Sequence, residues 1–246
     1  MDATNMNIPE LPPCTKAAIF LDFDGTLVDI APTPDGIHIP DTLPALLNDL
    51  RDQAGGALVV ISGRAAGDLA QWLPDYTGLI VGGHGAEWRR DGKVTPRVDL
   101  AQDSLDMLRD AASAFAGTYP PVLLEEKPTG LVLHYRAQPD LQQTVETFTA
   151  HLAQTHTDFE AQPAKMAVEM RPQGVGKDLA IADIMGFDLF SGRIPVMIGD
   201  DTTDEPAMEW AQKQGGLGIK VGPGETKAHH RLPDTQAVHT LLRHWA

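Results

Sequence analysis

Cysteine is nearly absent from this chain: Cys14 is the sole thiol in 246 residues. An intrachain disulfide is therefore excluded, as is any metal site built from several thiolates. Basic residues are also scarce, 19 against 34 acidic ones, which leaves a formal net charge of −15. No long basic run is available to neutralise phosphates, which argues against nucleic acid and anionic membrane surfaces as partners. If the substrate is itself an anion, the few cations must be concentrated where it binds. No apolar stretch is long enough to span a bilayer. Residues 1–16 lack the basic segment and apolar core of a signal peptide, so a cytoplasmic location is expected. Internal repeats and low-complexity tracts are missing too. What remains is a chain with an ordinary apolar fraction of 42%, long enough for one large domain or a domain carrying an insertion.

The informative stretch is Ala17-Ala18-Ile19-Phe20-Leu21-Asp22-Phe23-Asp24-Gly25-Thr26. Its uninterrupted apolar run predicts a strand buried on both faces. Two carboxylates follow at i and i+2, on the same side of an extended chain. Like charges about 4 Å apart repel by ~4 kcal/mol at an effective dielectric of ~20, so such a strand end calls for a cation or a proton.

Further along, residues 1–14 read as a loose arm, and Pro32, Pro34, Gly36 and Pro40 make the segment after Leu27 an irregular flap. Asp41-Thr42 is expected to cap a helix whose Leu43, Leu46, Leu47 and Leu50 form one apolar stripe. Residues 57–61 predict a second buried strand, ending in Ser62-Gly63-Arg64, with a helix over 65–73. Residues 79–81 predict a third, ending in Gly82-Gly83-His84-Gly85, and 194–198 a fourth, ending in Gly199-Asp200-Asp201-Thr202-Thr203-Asp204-Glu205. Residues 217–221 are a fifth. Strand, polar turn and helix in this repetition mean an α/β fold with a mostly parallel sheet, whose ligands gather at the carboxyl ends of the strands. The middle differs. Helix faces at Leu105, Leu108, Ala112 and Phe115 and at Leu141, Val145, Phe148 and Leu152 alternate with strands at 122–126, 130–136 and 165–171. This predicts an inserted α+β domain over 87–171, placed to act as a lid, between core halves 1–86 (with 1–15 as the arm) and 172–246.

Asp22 and Asp24, Ser62, and Asp200, Asp201 and Asp204 thus converge from three strand ends. Acids without thiolates or paired histidines suit a hard cation, so magnesium is expected rather than zinc. Lys177, on a turn opening a helix, supplies a fixed cation beside amides that favour anions. Gly174-Val175-Gly176-Lys177 is not an ATP-binding loop, because Asp178 stands where a Ser or Thr is required. His151, His156, His229 and His230 read as surface histidines.

Asp22-Phe23-Asp24-Gly25-Thr26, Ser62, Lys177 and Gly199-Asp200-Asp201-Thr202-Thr203-Asp204 together resemble the four ordered motifs of the haloacid dehalogenase superfamily. Within it, Ile61-Ser62-Gly63-Arg64, Gly83-His84-Gly85-Ala86-Glu87, Glu125 with Lys127, His134-Tyr135-Arg136 and Val168-Glu169-Met170-Arg171-Pro172 resemble the trehalose-6-phosphate phosphatase family. The resemblance implies a Rossmann-like core with an inserted α/β cap and a magnesium-dependent hydrolysis of a sugar phosphate. It makes Asp22 the nucleophile and Asp24 the acid and then the base, which requires Asp24 to be protonated as the ester binds, with its pKa raised by burial or acidic neighbours. It implies that the metal is held by the Asp22 carboxylate, the Asp24 main-chain carbonyl and Asp200. Ser62 and Lys177 would hold phosphoryl oxygens, while Asp201 and Asp204 order the metal surroundings and Lys177. Substrate contacts are expected from Thr26, Arg64, His84, Glu125, Lys127, Arg136 and Glu169. Asp178 departs from the family's usual glycine after the motif lysine and is expected to point away from the phosphate. Another sugar phosphate such as sucrose 6-phosphate, or a phosphohexomutase reaction, stays open. So does association with a trehalose-phosphate synthase.

Overall fold

The computed structural model describes residues 10–31, 33 and 36–246. Most of the expected N-terminal arm, together with Pro32 and Pro34 of the flap, lies outside the described residues. In chain order the first elements are β1 (Ala17–Asp22), α1 (Leu43–Gln53), β2 (Leu58–Ile61), α2 (Ala66–Trp72), β3 (Leu79–Gly82), β4 (Glu87–Arg90) and β5 (Lys93–Pro96). Then come α3 (Gln102–Thr118), β6 (Leu123–Lys127), β7 (Gly130–His134), α4 (Gln142–Thr155), β8 (Phe159–Ala164) and β9 (Ala167–Pro172). The chain closes with α5 (Lys177–Met185), β10 (Ile194–Gly199), α6 (Glu205–Lys213), β11 (Leu217–Val221), β12 (His230–Leu232) and α7 (Thr235–Trp245).

Two compact units result, Met1–Thr95 with Gly176–Ala246, and Pro96–Val175. The first holds a sheet in the order β12-β11-β10-β1-β2-β3-β4-β5. Its strands from β12 to β3 pair in parallel, and β4 turns back antiparallel on β3. That pairing draws Glu87–Arg90 into this sheet, so the second unit starts later than residue 87, the expected boundary. Alternate β1 residues serve two apolar layers. Ile19 and Leu21 pack with the buried leucines of α1 and with Val238, Leu241 and Leu242 of α7. Ala18 and Phe20 pack with Ala180, Ile181 and Ile184 of α5 and Ala207, Met208 and Ala211 of α6. Helices therefore cover both faces of a mostly parallel sheet, which explains why its strands read as continuous apolar runs.

One local expectation fails. Thr42 stands at the start of α1 but makes no side-chain cap there. Its backbone is already helical, and Pro44 in the first turn removes a donor that a cap would have served. In the second unit the sheet order is β6-β7-β9-β8, all antiparallel. Leu131, Leu133, Val168 and Met170 face the α3 and α4 residues Leu105, Leu108, Val145 and Leu152 in a separate core. No helix among the described residues is long and apolar enough to cross a membrane.

Candidate active site

Adjacent parallel strands β10, β1 and β2 end side by side, and their ends carry the acids and Ser62. Asp22, the last residue of β1, is buried, and its Oδ1 accepts a hydrogen bond from Lys177 Nζ at 2.7 Å. Lys177 opens α5 behind Gly176 and donates a second bond to Asp204 Oδ1 at 2.5 Å. Asp204 is fully buried, and its Oδ2 accepts the backbone N–H groups of Asp200 at 3.1 Å and Asp201 at 3.0 Å. Asp201 is exposed and caps the same turn through Thr202 N at 2.7 Å. The motif after β10 thus folds around the Asp204 carboxylate.

Carboxylate oxygens of Asp22, Asp200 and Asp204 lie within 4.8 Å of one another. Burial, then the Asp204 charge, pushes Asp22 well above the usual carboxylate range against the pull of Lys177. Burial, then Asp204 and Asp201, pushes Asp200 up to about 6. Burial works against the charge on Lys177, but Asp204 and Asp22 outweigh it and hold the ammonium above its ordinary value. Three carboxylates against one ammonium leave a surplus of negative charge. The Asp22 Oδ2 atom is buried and has no hydrogen-bond partner. An orphaned carboxylate oxygen among all-oxygen donors fits a hard divalent cation. Asp22 and Asp200 are the side chains able to hold it, since both Asp204 oxygens are already engaged.

Gly25 permits this closeness. It takes φ 76°, and a Cβ there would collide with the Asp200 carboxylate. Thr26 is fully buried and its hydroxyl has no partner. Asp24 is half-buried and pairs with Arg64, whose Nε and Nη2 each reach its carboxylate at 2.7 Å. Ser62 is buried just beyond β2, and its hydroxyl accepts the Arg64 N–H at 3.1 Å. Its carbonyl accepts from His84 N at 2.9 Å, tying the loop after β2 to the loop after β3. His84 adopts φ 54° with its ring over Gly63, where a side chain would clash with it. Buried Glu87 completes the tie by accepting from Ala66 N, the first amide of α2, at 2.6 Å. Asp178, half-buried in the first turn of α5, stands outside the acidic cluster.

In the second unit, Lys127 on β6 and Glu169 on β9 pair at 2.9 Å. Glu125 and Glu169 both stand in register with Val132, so they share a face opposite the apolar core. Glu125 pairs with His134 at 2.8 Å, and this bond, with Lys127 nearby, draws its carboxyl below the usual range despite burial. Arg136 is not brought to this row. It is exposed beyond β7, and its guanidinium donates to the Lys165 carbonyl at 3.5 Å.

A family model described as trehalose-phosphatase matches residues 20–236. The chain belongs to the trehalose-phosphatase family. It is 37% identical over 230 residues to a probable trehalose-phosphate phosphatase of Sinorhizobium fredii, covering 92% of this chain and 86% of that one. It is 36% identical over 234 residues to the trehalose-6-phosphate phosphatase of Escherichia coli, covering 95% and 87%. A haloacid dehalogenase-like hydrolase from Bacteroides thetaiotaomicron shares the fold with a TM-score of 0.68 at 17% identity, over 93% of this chain and 98% of that one. The trehalose-phosphatase chain thus has a haloacid-dehalogenase-like α/β core, and the family implies a sugar phosphate as substrate.

Three features of this trehalose-phosphatase chain went unread in the sequence. The Glu87 cap was one, although the residue was in plain view within the Gly83–Glu87 motif. Arg171 and Glu160, paired at 2.7 Å on facing strands, extend the polar row of the second unit. Lys220 is the third. It is buried in β11 and donates to the Asp200 carbonyl, and the available signal was a lone lysine inside an apolar strand.

Proposed function

We propose that this chain hydrolyses trehalose 6-phosphate to trehalose and phosphate, in a Mg2+-dependent reaction through an aspartyl-phosphate on Asp22. The observation that carries the reading is the buried Asp22, with one oxygen on Lys177 and the other unpartnered, within 4.8 Å of Asp200 in a trehalose-phosphatase chain. Phosphoryl transfer needs positioning and charge neutralisation more than covalent assistance. A Mg2+ ion held by Asp22, the Asp24 carbonyl and Asp200 would supply that neutralisation and orient the phosphoryl group.

The chain's own residues divide the work. Lys177 and Ser62 hold phosphoryl oxygens, Lys177 being kept charged by Asp22 and Asp204. A carboxylate oxygen of Asp22 attacks phosphorus. The bond from phosphorus to the sugar oxygen breaks, and that oxygen takes a proton from Asp24. Asp24, now a carboxylate, removes a proton from water as the water attacks phosphorus. Phosphate leaves and Asp22 is regenerated. Both Asp24 oxygens accept from Arg64, so this pair must open before a carboxyl oxygen of Asp24 can reach the leaving sugar oxygen. Arg64 can then turn toward the anionic substrate. Glu125, Lys127 and Glu169 offer a polar face for sugar hydroxyls, with Thr26, His84 and Arg136 as further substrate contacts.

The test is phosphate release from trehalose 6-phosphate, sucrose 6-phosphate and glucose 6-phosphate, each with Mg2+ and with EDTA. Mg2+-dependent release with the highest kcat/KM for trehalose 6-phosphate is expected. Undiminished turnover in EDTA, or conversion to an isomeric ester in place of free phosphate, refutes the proposal.

A further inference from the structure

Lys220 occupies the fourth position of β11, a strand whose last four residues are buried. A lysine in such a strand must set its ammonium against acceptors, because an unpaired buried charge is costly. It is 4% exposed, and its Nζ donates to the main-chain carbonyl of Asp200 and to that of Val221 at 2.7 Å. Parallel pairing places Lys220 opposite Gly199, the residue before Asp200, so the strand register itself delivers the ammonium to this peptide group.

Asp200 is consequently fixed on three sides. Its N–H is held by Asp204 Oδ2 at 3.1 Å, its C=O by Lys220, and its carboxylate rests over Gly25 where no side chain intrudes. With both flanking peptide groups fixed, the Cα–Cβ direction of Asp200 is set toward Asp22. Both Lys220 bonds go to main-chain carbonyls, and the Asp200 carboxylate faces Asp22. We infer that Lys220 is a positioning residue that holds the Asp200 carboxylate in its cation-binding orientation. This rests on the reading of Asp200 as a cation ligand. Groups that orient metal ligands typically change affinity by about 10–100-fold when removed.

The experiment titrates Mn2+ into metal-free full-length protein, reading free Mn2+ by electron paramagnetic resonance. Wild type, Lys220→Met and Lys220→Arg are compared. Lys220→Met is expected to weaken Mn2+ binding by about 10-fold or more. It should also raise the Mg2+ concentration for half-maximal phosphatase activity more than it lowers the rate at saturating Mg2+. Lys220→Arg, which keeps charge and donors, should recover part of the affinity. Equal Mn2+ affinity in wild type and a folded Lys220→Met overturns the inference while leaving the site reading intact. Wild type that binds no Mn2+ overturns both. If Lys220→Met does not fold, Lys220→Gln, which loses the charge and shortens the reach, is read in its place: weakened Mn2+ binding in that folded variant supports the inference, and wild-type affinity overturns it.

Discussion

Replacing Lys177 with methionine keeps the length of the side chain and removes its charge. The ammonium is 2% exposed and sits between Asp22 and Asp204, which are 5% and 0% exposed. Removing one member of a buried ion pair costs about 3–5 kcal/mol, because the remaining charge is left uncompensated. Here two carboxylates are left, so the upper part of that range applies at neutral pH. At about 2–4 °C per kcal/mol for a chain of this size, the melting temperature should fall by about 8–20 °C. The pH dependence gives a sharper test. Lys177 has a raised folded pKa, so its own contribution is fully present below the unfolded lysine value and is lost only as pH rises through the higher folded one. Between pH 5 and 7, the change must therefore come from Asp22, whose carboxyl burial and the Asp204 charge hold well above the usual range and which can neutralise itself by taking up a proton. The loss should be clearly smaller at pH 5 than at pH 7. Thermal denaturation of metal-free wild type and Lys177→Met at both pH values decides it. A loss below about 1 kcal/mol at pH 7, the size of an exposed ion pair, would refute the buried bridge. A loss equal at both pH values would refute its carboxylate origin.

Other outcomes follow from the same geometry. Asp200 has a folded pKa raised to about 6, so its contribution to metal-free stability is present below the unfolded value and lost as pH rises through about 6. Asp200→Asn should therefore melt higher than wild type at pH 7.5 without metal, yet gain nothing from Mg2+, as scanning calorimetry would show. Gly25→Ala should cost about 1–2 kcal/mol for its positive φ and lower kcat/KM by about 100-fold, because it displaces the Asp200 carboxylate. Wild-type kcat/KM in that variant would remove the argument from close approach. Lys127→Met removes the ammonium that Glu169 pairs with at 2.9 Å, at about 1–3 kcal/mol. It should raise KM for trehalose 6-phosphate while sparing p-nitrophenyl phosphate, and equal effects on both would dismiss a sugar-binding role.

The strand ends of the core were legible because a strand buried on both faces leaves an unbroken apolar run. Residues 17–21 and 58–61 stop at Asp22 and Ser62, and 194–198 runs through Gly199 to Asp200. β8 was not, since Phe159–Ala164 contains Pro163 and a partly exposed face that breaks the alternation. β12 is three residues long with one of them buried, too short for periodicity to register. β4 could not be placed in the core sheet from the sequence, because antiparallel addition at an edge leaves no mark in local pattern. Asp22 and Asp200 could be read as site residues from their spacing, whereas the Arg64–Asp24 pair depends on a loop path that spacing does not encode. Arg136 follows β7 in the motif, and its guanidinium reaches the Lys165 carbonyl, a contact that local pattern does not encode.

The most direct measurement is a rapid acid quench of the enzyme mixed with phosphorus-labelled trehalose 6-phosphate and Mg2+, followed by digestion and mass spectrometry. A phosphoryl group on the Asp22 peptide, absent from Asp22→Asn, is the expected result. Label on a different residue, or free phosphate as the only labelled product at the earliest quench times, would contradict Asp22 as the nucleophile.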